Sequence, residues 1–140
     1  MTVFSEIISV KSNGGTQIID ITSGINKVLQ KSGVKEGTIT VSVKGSTAGI
    51  TSIEFEPGLL IDYPAFWERM VPEHIRYHHD QTWHDGNGHS HIRAALQGAS
   101  FQTSVLQGKL FIGTWQQIVL IDFDNRARHR DIAVTLIGEQ

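Results

Sequence analysis

The feature that most constrains the fold is the strict alternation from Gly37 to Lys44, where Ile39, Val41 and Val43 fall on one face and Thr38, Thr40, Ser42 and Lys44 on the other. A period of two marks an extended strand with one buried and one wet face. A second run of this kind turns Thr51, Ile53 and Phe55 inward and Ser52, Glu54 and Glu56 outward. Between the runs, Gly45-Ser46-Thr47-Ala48-Gly49 is small and flexible. Such a stretch is a tight turn or a place where backbone closely approaches a ligand, and the plain turn is the leading reading.

The remaining elements follow from the same kind of pattern. Thr2 to Val10 and Thr16 to Ile21 are expected as strands, paired as a hairpin through Asn13-Gly14-Gly15. Thr22 or Ser23 caps a helix with Ile25, Val28 and Leu29 on its apolar face and Gly33 at its left-handed stop. After Pro57-Gly58, residues Leu59, Tyr63, Phe66 and Met70, with Leu60, Trp67 and Val71 beside them, recur at helical spacing and read as core. Pro64 kinks that helix or begins it. Glu73 to Asn87 is a long irregular segment, of a kind that is functional or disordered in compact domains. Tyr77, His78, His79 and Trp83 argue against disorder.

A brief helix from His91 to Gln97 follows, with Ile92, Ala95 and Leu96 on its buried side, Asn87 or Ser90 as cap and Gly98 as terminator. The rest is β: Phe101 to Leu106, Lys109 to Gly113, Gln117 to Asp122 and His129 to Ile137. The sum is an α+β single domain over residues 1–140, largely antiparallel sheet with two or three helices.

Composition narrows the chemistry. The chain has no cysteine, so disulfides, zinc ribbons and thiol nucleophiles are excluded, and any metal must be held by His, Asp and Glu. No apolar run reaches the about 18 residues of a membrane span, and Met1 to Val10 lacks the marks of a secretory signal, so a soluble, cytoplasmic protein without membrane contact is expected. Twelve Lys+Arg against 14 Asp+Glu give no basic field for nucleic acid.

Six of the seven histidines, His74, His78, His79, His84, His89 and His91, fall within 18 residues. In His84-Asp85-Gly86-Asn87-Gly88-His89-Ser90-His91, glycines, a carboxylate and imidazoles directly precede a helix start, where backbone amides favour an anion such as phosphate. Capping alone is the leading reading of such a pattern. Imidazole with carboxylate also suits Zn²⁺ or Mn²⁺, and carboxylates suit Mg²⁺. His74 and His78 meet only if their segment is helical; for these two and His84, ordinary loop hydrogen bonding is the leading reading. Arg126, Arg128 and Arg130 share one strand face and serve phosphate, RNA or the nearby Asp122, Asp124 and Asp131.

The string Asp85-Gly86-Asn87-Gly88-His89-Ser90-His91-Ile92-Arg93-Ala94, with Leu96, Gly98, Ser100 and Gly113-Thr114-Trp115-Gln116, resembles the YjbQ family, whose members are often named secondary thiamine-phosphate synthase enzymes. Ser46-Thr47-Ala48, Glu54, Pro57, His79-Asp80 and Gly138-Glu139 match further family segments. The likeness runs from about Gly45 to the end of the chain, and the first 44 residues agree in pattern only.

The resemblance implies a homotrimer with pockets at subunit boundaries and a transferase of thiamine biosynthesis acting on small phosphorylated substrates. It implies a polar site of His79, Asp85, His91 and Glu54 as catalytic groups, with Ser46, Thr47, Gly88, Ser90, Arg93, Trp115 and Gln116 binding substrate. His79, Asp85 and His91 are the expected ligands of a divalent metal, Mg, Zn or Mn. One departure stands out: Gly45 occupies a position where the family usually has His, and His89 is the available compensating imidazole. The other use of such a site is a non-catalytic trimer that binds metal or an anion.

Overall fold

The computed structural model describes residues 1–140. Its elements are β1 (Thr2–Ser12), β2 (Gln17–Asp20), α1 (Thr22–Ser32), β3 (Glu36–Val43), β4 (Ala48–Glu54), α2 (Pro57–Met70), α3 (His78–Trp83), α4 (Gly88–Gln97), β5 (Ser100–Leu106), β6 (Lys109–Leu110), β7 (Gln116–Asp122) and β8 (Arg128–Glu139). The strands form two antiparallel sheets, one ordered β1-β8-β3-β5-β6 and the other β2-β7-β4. This is the expected α+β fold with one extra helix, because α3 forms inside the segment read as irregular.

Alternation does what it predicts in β3, where Ile39, Val41 and Val43 are buried. They join Ile132, Val134 and Leu136 of β8, Ile118 and Leu120 of β7, and Ile25, Val28 and Leu29 of α1 in the main core. Each such aliphatic side chain contributes about 1.5–3 kcal/mol on burial. The opposite face of β7 carries Val119 and Ile121 into a second cluster with Trp67, Val71, Ala94 and Phe123. The small sheet is therefore a middle layer, with the large sheet on one side and α2 and α4 on the other.

Three local expectations are corrected. β1 and β2 do not form a hairpin: β1 pairs with β8, and β2 pairs with β7 in the other sheet. Gly14, Gly15 and Thr16 all have positive φ (76°, 67° and 62°), and this left-handed turn carries the chain between sheets. A Cβ at Gly14 would lie 2.5 Å from the Asp124 carbonyl, so only glycine fits there. In α2, capped by the Glu56 carboxylate, the chain stays helical through Pro64. The apolar stripe of α2 is mostly not core; Trp67 is buried against Phe123 with ring centroids 5.2 Å apart, whereas Phe66 and Met70 are exposed. A three-stranded sheet is too narrow to cover more.

In α4 the buried face is also not the expected one. Ala94 packs on the small sheet with His89, Ser90 and Arg93 buried beside it, while Ile92, Ala95 and Leu96 face outward. The small sheet comes close at the end of the helix, where a Cβ at Gly49 would lie 2.7 Å from the Gln97 side chain.

Gly37 and Gly138 are cross-strand partners in β3 and β8. A Cβ on Gly37 would fall 2.2 Å from the Ile137 carbonyl oxygen, and one on Gly138 would fall 2.2 Å from that of Glu36. Backbone cannot yield as a flexible side chain would. Gly138→Ala is expected to cost about 1–3 kcal/mol as overpacking, read as a lower urea midpoint at constant slope; a midpoint equal to wild type would show that the strands can separate freely here.

A candidate anion-binding cleft

The candidate site lies where β7 ends, β8 begins and the β3–β4 turn passes beneath α3 and α4. Gly45, Ser46, Thr47, His79, Trp83, Asp85, Asn87, His91, Arg128 and Arg130 enclose a cleft of about 360 Å³. Behind its arginines stand two aspartates with no solvent exposure, Asp122 and Asp124. Desolvated carboxylates need strong partners, and the arginines that open β8 supply them at alternate positions.

Arg130 clasps Asp122 in bidentate fashion, Nε donating to Oδ2 at 2.7 Å and Nη2 to Oδ1 at 2.8 Å. Ser12 Oγ donates to the same carboxylate from the end of β1. Arg128 Nε donates to Asp124 Oδ2 at 2.8 Å, and Thr47 Oγ1 does so at 3.0 Å. Burial pushes both carboxyls up, but for Asp122 the hydrogen bonds from Arg130, Ser12 and the Asp124 amide outweigh it, and for Asp124 those from the Asn125 amide, Asn87, Thr47 and Arg128 do so. Both stay below the ordinary carboxylate value, as anions.

A second chain of contacts sets the imidazoles. Asn87 Nδ2 donates to Asp124 Oδ1 at 3.3 Å, which leaves Asn87 Oδ1 as an acceptor facing His79 Nε2 at 3.0 Å. His79 must therefore donate from Nε2, so in the neutral ring Nδ1 is the free acceptor. Asp85 Oδ1 stands 3.6 Å from His79 Nε2. The His91 ring lies 4.2 Å from that of His79, centroid to centroid. Burial, and then the neighbouring His79, push the His91 pKa down, which favours the neutral imidazole. The loop that carries Asp85 and Asn87 is tied down by Asn125 Nδ2, which donates to the Asp85 carbonyl at 2.7 Å.

Of the residues expected from sequence, His79, Asp85, His91, Ser46 and Thr47 meet in this cleft. Others lie elsewhere in the chain. Glu54 is six residues along β4 from Ala48, about 20 Å at the strand rise. There Glu54 and Trp115 border a separate groove with Asp20, Phe55, Glu56, Thr114 and Gln117, and Gln116 donates to Ser52 Oγ at 2.9 Å. Arg93 is a buried structural clamp: Nε and Nη2 donate to the Val71 carbonyl, Nη1 to Thr16 Oγ1, and Nη2 also meets Glu68. Ser90 is fully buried with Oγ 3.3 Å from His89 Nε2.

The helix-start cradle is also occupied. The Gly88 amide donates to Asp80 Oδ1 at 2.9 Å, and those of Ser90 and His91 donate to the Asn87 carbonyl. His89 does not replace the imidazole missing at position 45. It faces a different cavity, with Arg93, Glu68 and Glu73, and its Nδ1 has no hydrogen-bond partner. His74 and His78 are not brought together, because α3 begins only at His78.

The expected metal shell is not assembled. No three His, Asp or Glu side chains are gathered as ligands, and Asp85 faces His79 at Nε2, the nitrogen turned to Asn87, rather than at the free Nδ1. What fills the place of an imidazole at position 45 is a guanidinium: a Cβ there would lie 2.8 Å from Arg130 Nη1. Asn87, Arg128, Arg130 and Trp83 are the cleft residues that the sequence reading left out of the site. The arginines were visible as a stripe, and their role turned on Asp122 and Asp124 lying beneath them.

Comparison with known proteins agrees with the fold. The family described as UPF0047 protein YjbQ-like matches residues 6–139. A UPF0047 protein of Methanothermobacter thermautotrophicus is 34% identical over 139 residues, covering 99% of this chain and 95% of that protein. A YbjQ-like protein of unknown function from Sulfolobus solfataricus superposes with a TM-score of 0.89 at 30% identity, covering 99% of this chain and all (100%) of that one. A protein of the same family from Clostridium acetobutylicum gives 0.86 at 36% identity over 94% of this chain and 99% of its own.

Because the Asp122 and Asp124 values are lowered in the folded state, the unfolded chain takes up protons first as pH falls. Their stabilisation is complete above the ordinary value of 3.8 and is lost as pH drops through the lower folded values. Urea midpoints should fall gradually as pH drops below 6.5, the ordinary value of His89 and His91, which burial holds neutral, and steeply below about 4, with the steep part shallower in Asp124→Asn. Equal acid slopes for the two proteins would remove Asp124 from this linkage.

Proposed function

The chain belongs to the UPF0047 family of YjbQ-like proteins, and we propose that it is an enzyme of small phosphorylated metabolites whose active site is the cleft around His79 and His91. The observation that carries this reading is that one cleft holds two imidazoles 4.2 Å apart and two arginines anchored from below. Imidazoles move protons near neutral pH, and fixed cations stabilise charge that develops on a phosphoryl oxygen.

The reaction to test first is the one the family resemblance suggests: the ring nitrogen of a thiazole phosphate attacks the methylene carbon of an aminopyrimidine methyl diphosphate. A carbon–nitrogen bond forms, the carbon–oxygen bond breaks, and pyrophosphate departs with the electron pair. Arg128 and Arg130 would neutralise that leaving charge, in place of the Arg93 expected from sequence. His79 and His91 would supply or hold a proton at the departing oxygen, with Asn87 and Asp85 orienting His79. Ser46 and Thr47 would contact the substrate. The side chains present do not form a metal shell, so no step is assigned to a metal.

The homotrimer belongs to the same proposal. Leu96 on α4 is 67% exposed, and Trp115 beside Glu54 is 75% exposed. A neighbouring copy is the means by which Glu54 and Trp115, remote within one chain, would reach a cleft. Light scattering on the purified protein should return three chains, and a monomer would confine the site to the ten residues above.

Thiamine-phosphate formation from the two substrates should fall about 100-fold or more in His91→Ala and in Asp85→Ala, the usual scale for losing an acid–base group or its support. Turnover that is unchanged in both variants would take these residues out of catalysis. Binding without any turnover would assign the cleft to the non-catalytic alternative.

A further inference from the structure

We infer that the Gly45–Thr47 turn and the inner edges of Arg128 and Arg130 form a subsite for a phosphate dianion, the end of the cleft that holds a substrate's phosphoryl group. The inference rests on the reading of the cleft given above and names the chemistry it selects. Arg130 is the central observation. Its side chain is only 7% exposed, yet its donors are unevenly spent: Nε and Nη2 serve Asp122 and Thr47, while Nη1 has no protein partner. That unspent group lies beside Gly45, where any Cβ would stand 2.8 Å away. The absence of a side chain at position 45 is what leaves this guanidinium edge its place at the cleft.

Arg128 repeats the arrangement. Nε and Nη2 are held by Asp124, and Nη1 is unpartnered. The amides of Gly45, Ser46 and Thr47 form the third component, since none of them donates to a backbone carbonyl or a side chain, whereas the flanking Lys44 amide is bonded to Asp131. Gly45 has φ 126°, in the region that favours glycine. Consecutive free amides in a glycine turn are a recurrent anion cradle.

The donor set also selects among anions. Each arginine is neutralised by its own buried aspartate, and Asp85 adds a negative charge at the rim, so net charge does not hold the ligand. Directed hydrogen bonds do. Two guanidinium NH₂ groups and a run of amides, approaching from different elements, suit a tetrahedral anion with three terminal oxygens better than a planar carboxylate, which has two. Phosphomonoesters, terminal diphosphates and free phosphate share this chemistry.

The test is isothermal titration of the wild-type protein with inorganic phosphate, pyrophosphate and acetate at low ionic strength. Saturable binding of phosphate or pyrophosphate at one site per chain is expected, with acetate at least tenfold weaker. Arg128→Gln, whose side chain is one-third exposed, and Gly45→Ala should each weaken phosphate at least tenfold, with unchanged circular dichroism verifying the fold. Lys109→Gln, on β6 at the far end of the large sheet, should keep phosphate binding. No saturable phosphate binding, or equal affinity in Arg128→Gln and Gly45→Ala, overturns the subsite. Failure of the enzymatic reading looks different: phosphate binds and responds to both variants, but no thiamine phosphate forms.

Discussion

Two fully buried carboxylates, one ending β7 and one just past it, govern how this molecule is arranged. An ionised group without water is tolerated only if charge and hydrogen bonds replace what the solvent supplied. Asp122 draws Arg130 and Ser12 to itself, and Asp124 draws Arg128, Thr47, Asn87 and the Asn125 amide. These partners come from β1, the β3–β4 turn, the loop before α4, and β8. One pair of side chains thus joins both sheets and the helical layer at a single place, and the cleft is the outward face of that junction. Removing either aspartate would leave a guanidinium stranded, so support of the fold and placement of the site cannot be separated there.

The middle position of the small sheet explains why this junction can be buried at all. Because β7 is covered on both faces, by the main core through Ile118 and Leu120 and by the second cluster through Val119 and Ile121, the residues that follow it leave the sheet in a dry environment. Phe123 then packs under Trp67, which places Asp122 and Asp124 on the opposite side, toward β8. The alternation that buries hydrophobic residues within the strand also sends its terminal carboxylates inward.

Much of this was legible in the sequence where physics is local. β3, α1 and β5 follow from alternation, apolar spacing and glycine stops, although Thr22 and Ser23, expected as caps, lie inside α1, where Ile21 takes the capping position without a side-chain bond, and the family likeness placed His79, Asp85 and His91 together. What was not legible depends on long-range pairing. The hairpin expected through Asn13-Gly14-Gly15 has the right residues for a turn, but turn chemistry does not say which sheet receives the next strand. The buried face of α4 differs from the apolar one because Ile92 and Leu96 are the more apolar side chains, whereas the inward face carries Ala94 with the hydrogen-bonded Arg93 and Ser90. Arg93 looked like a phosphate ligand and is a clamp on Val71 and Thr16. Arg128 and Arg130 gained their role from aspartates whose depth no periodicity reveals.

The pairing of β1 with β8 along its whole length, from Thr2 opposite Gly138 to Ser12 opposite Arg128, has a consequence for how the chain acquires its shape. During synthesis β1 has no partner until the residues through β8 have been made. Its alternating half-apolar ribbon must wait, exposed, while α1 and the β4–β7 layer take form. Closing so large a loop late slows folding, and the waiting ribbon is the part of the nascent polypeptide most in need of shielding by a chaperone.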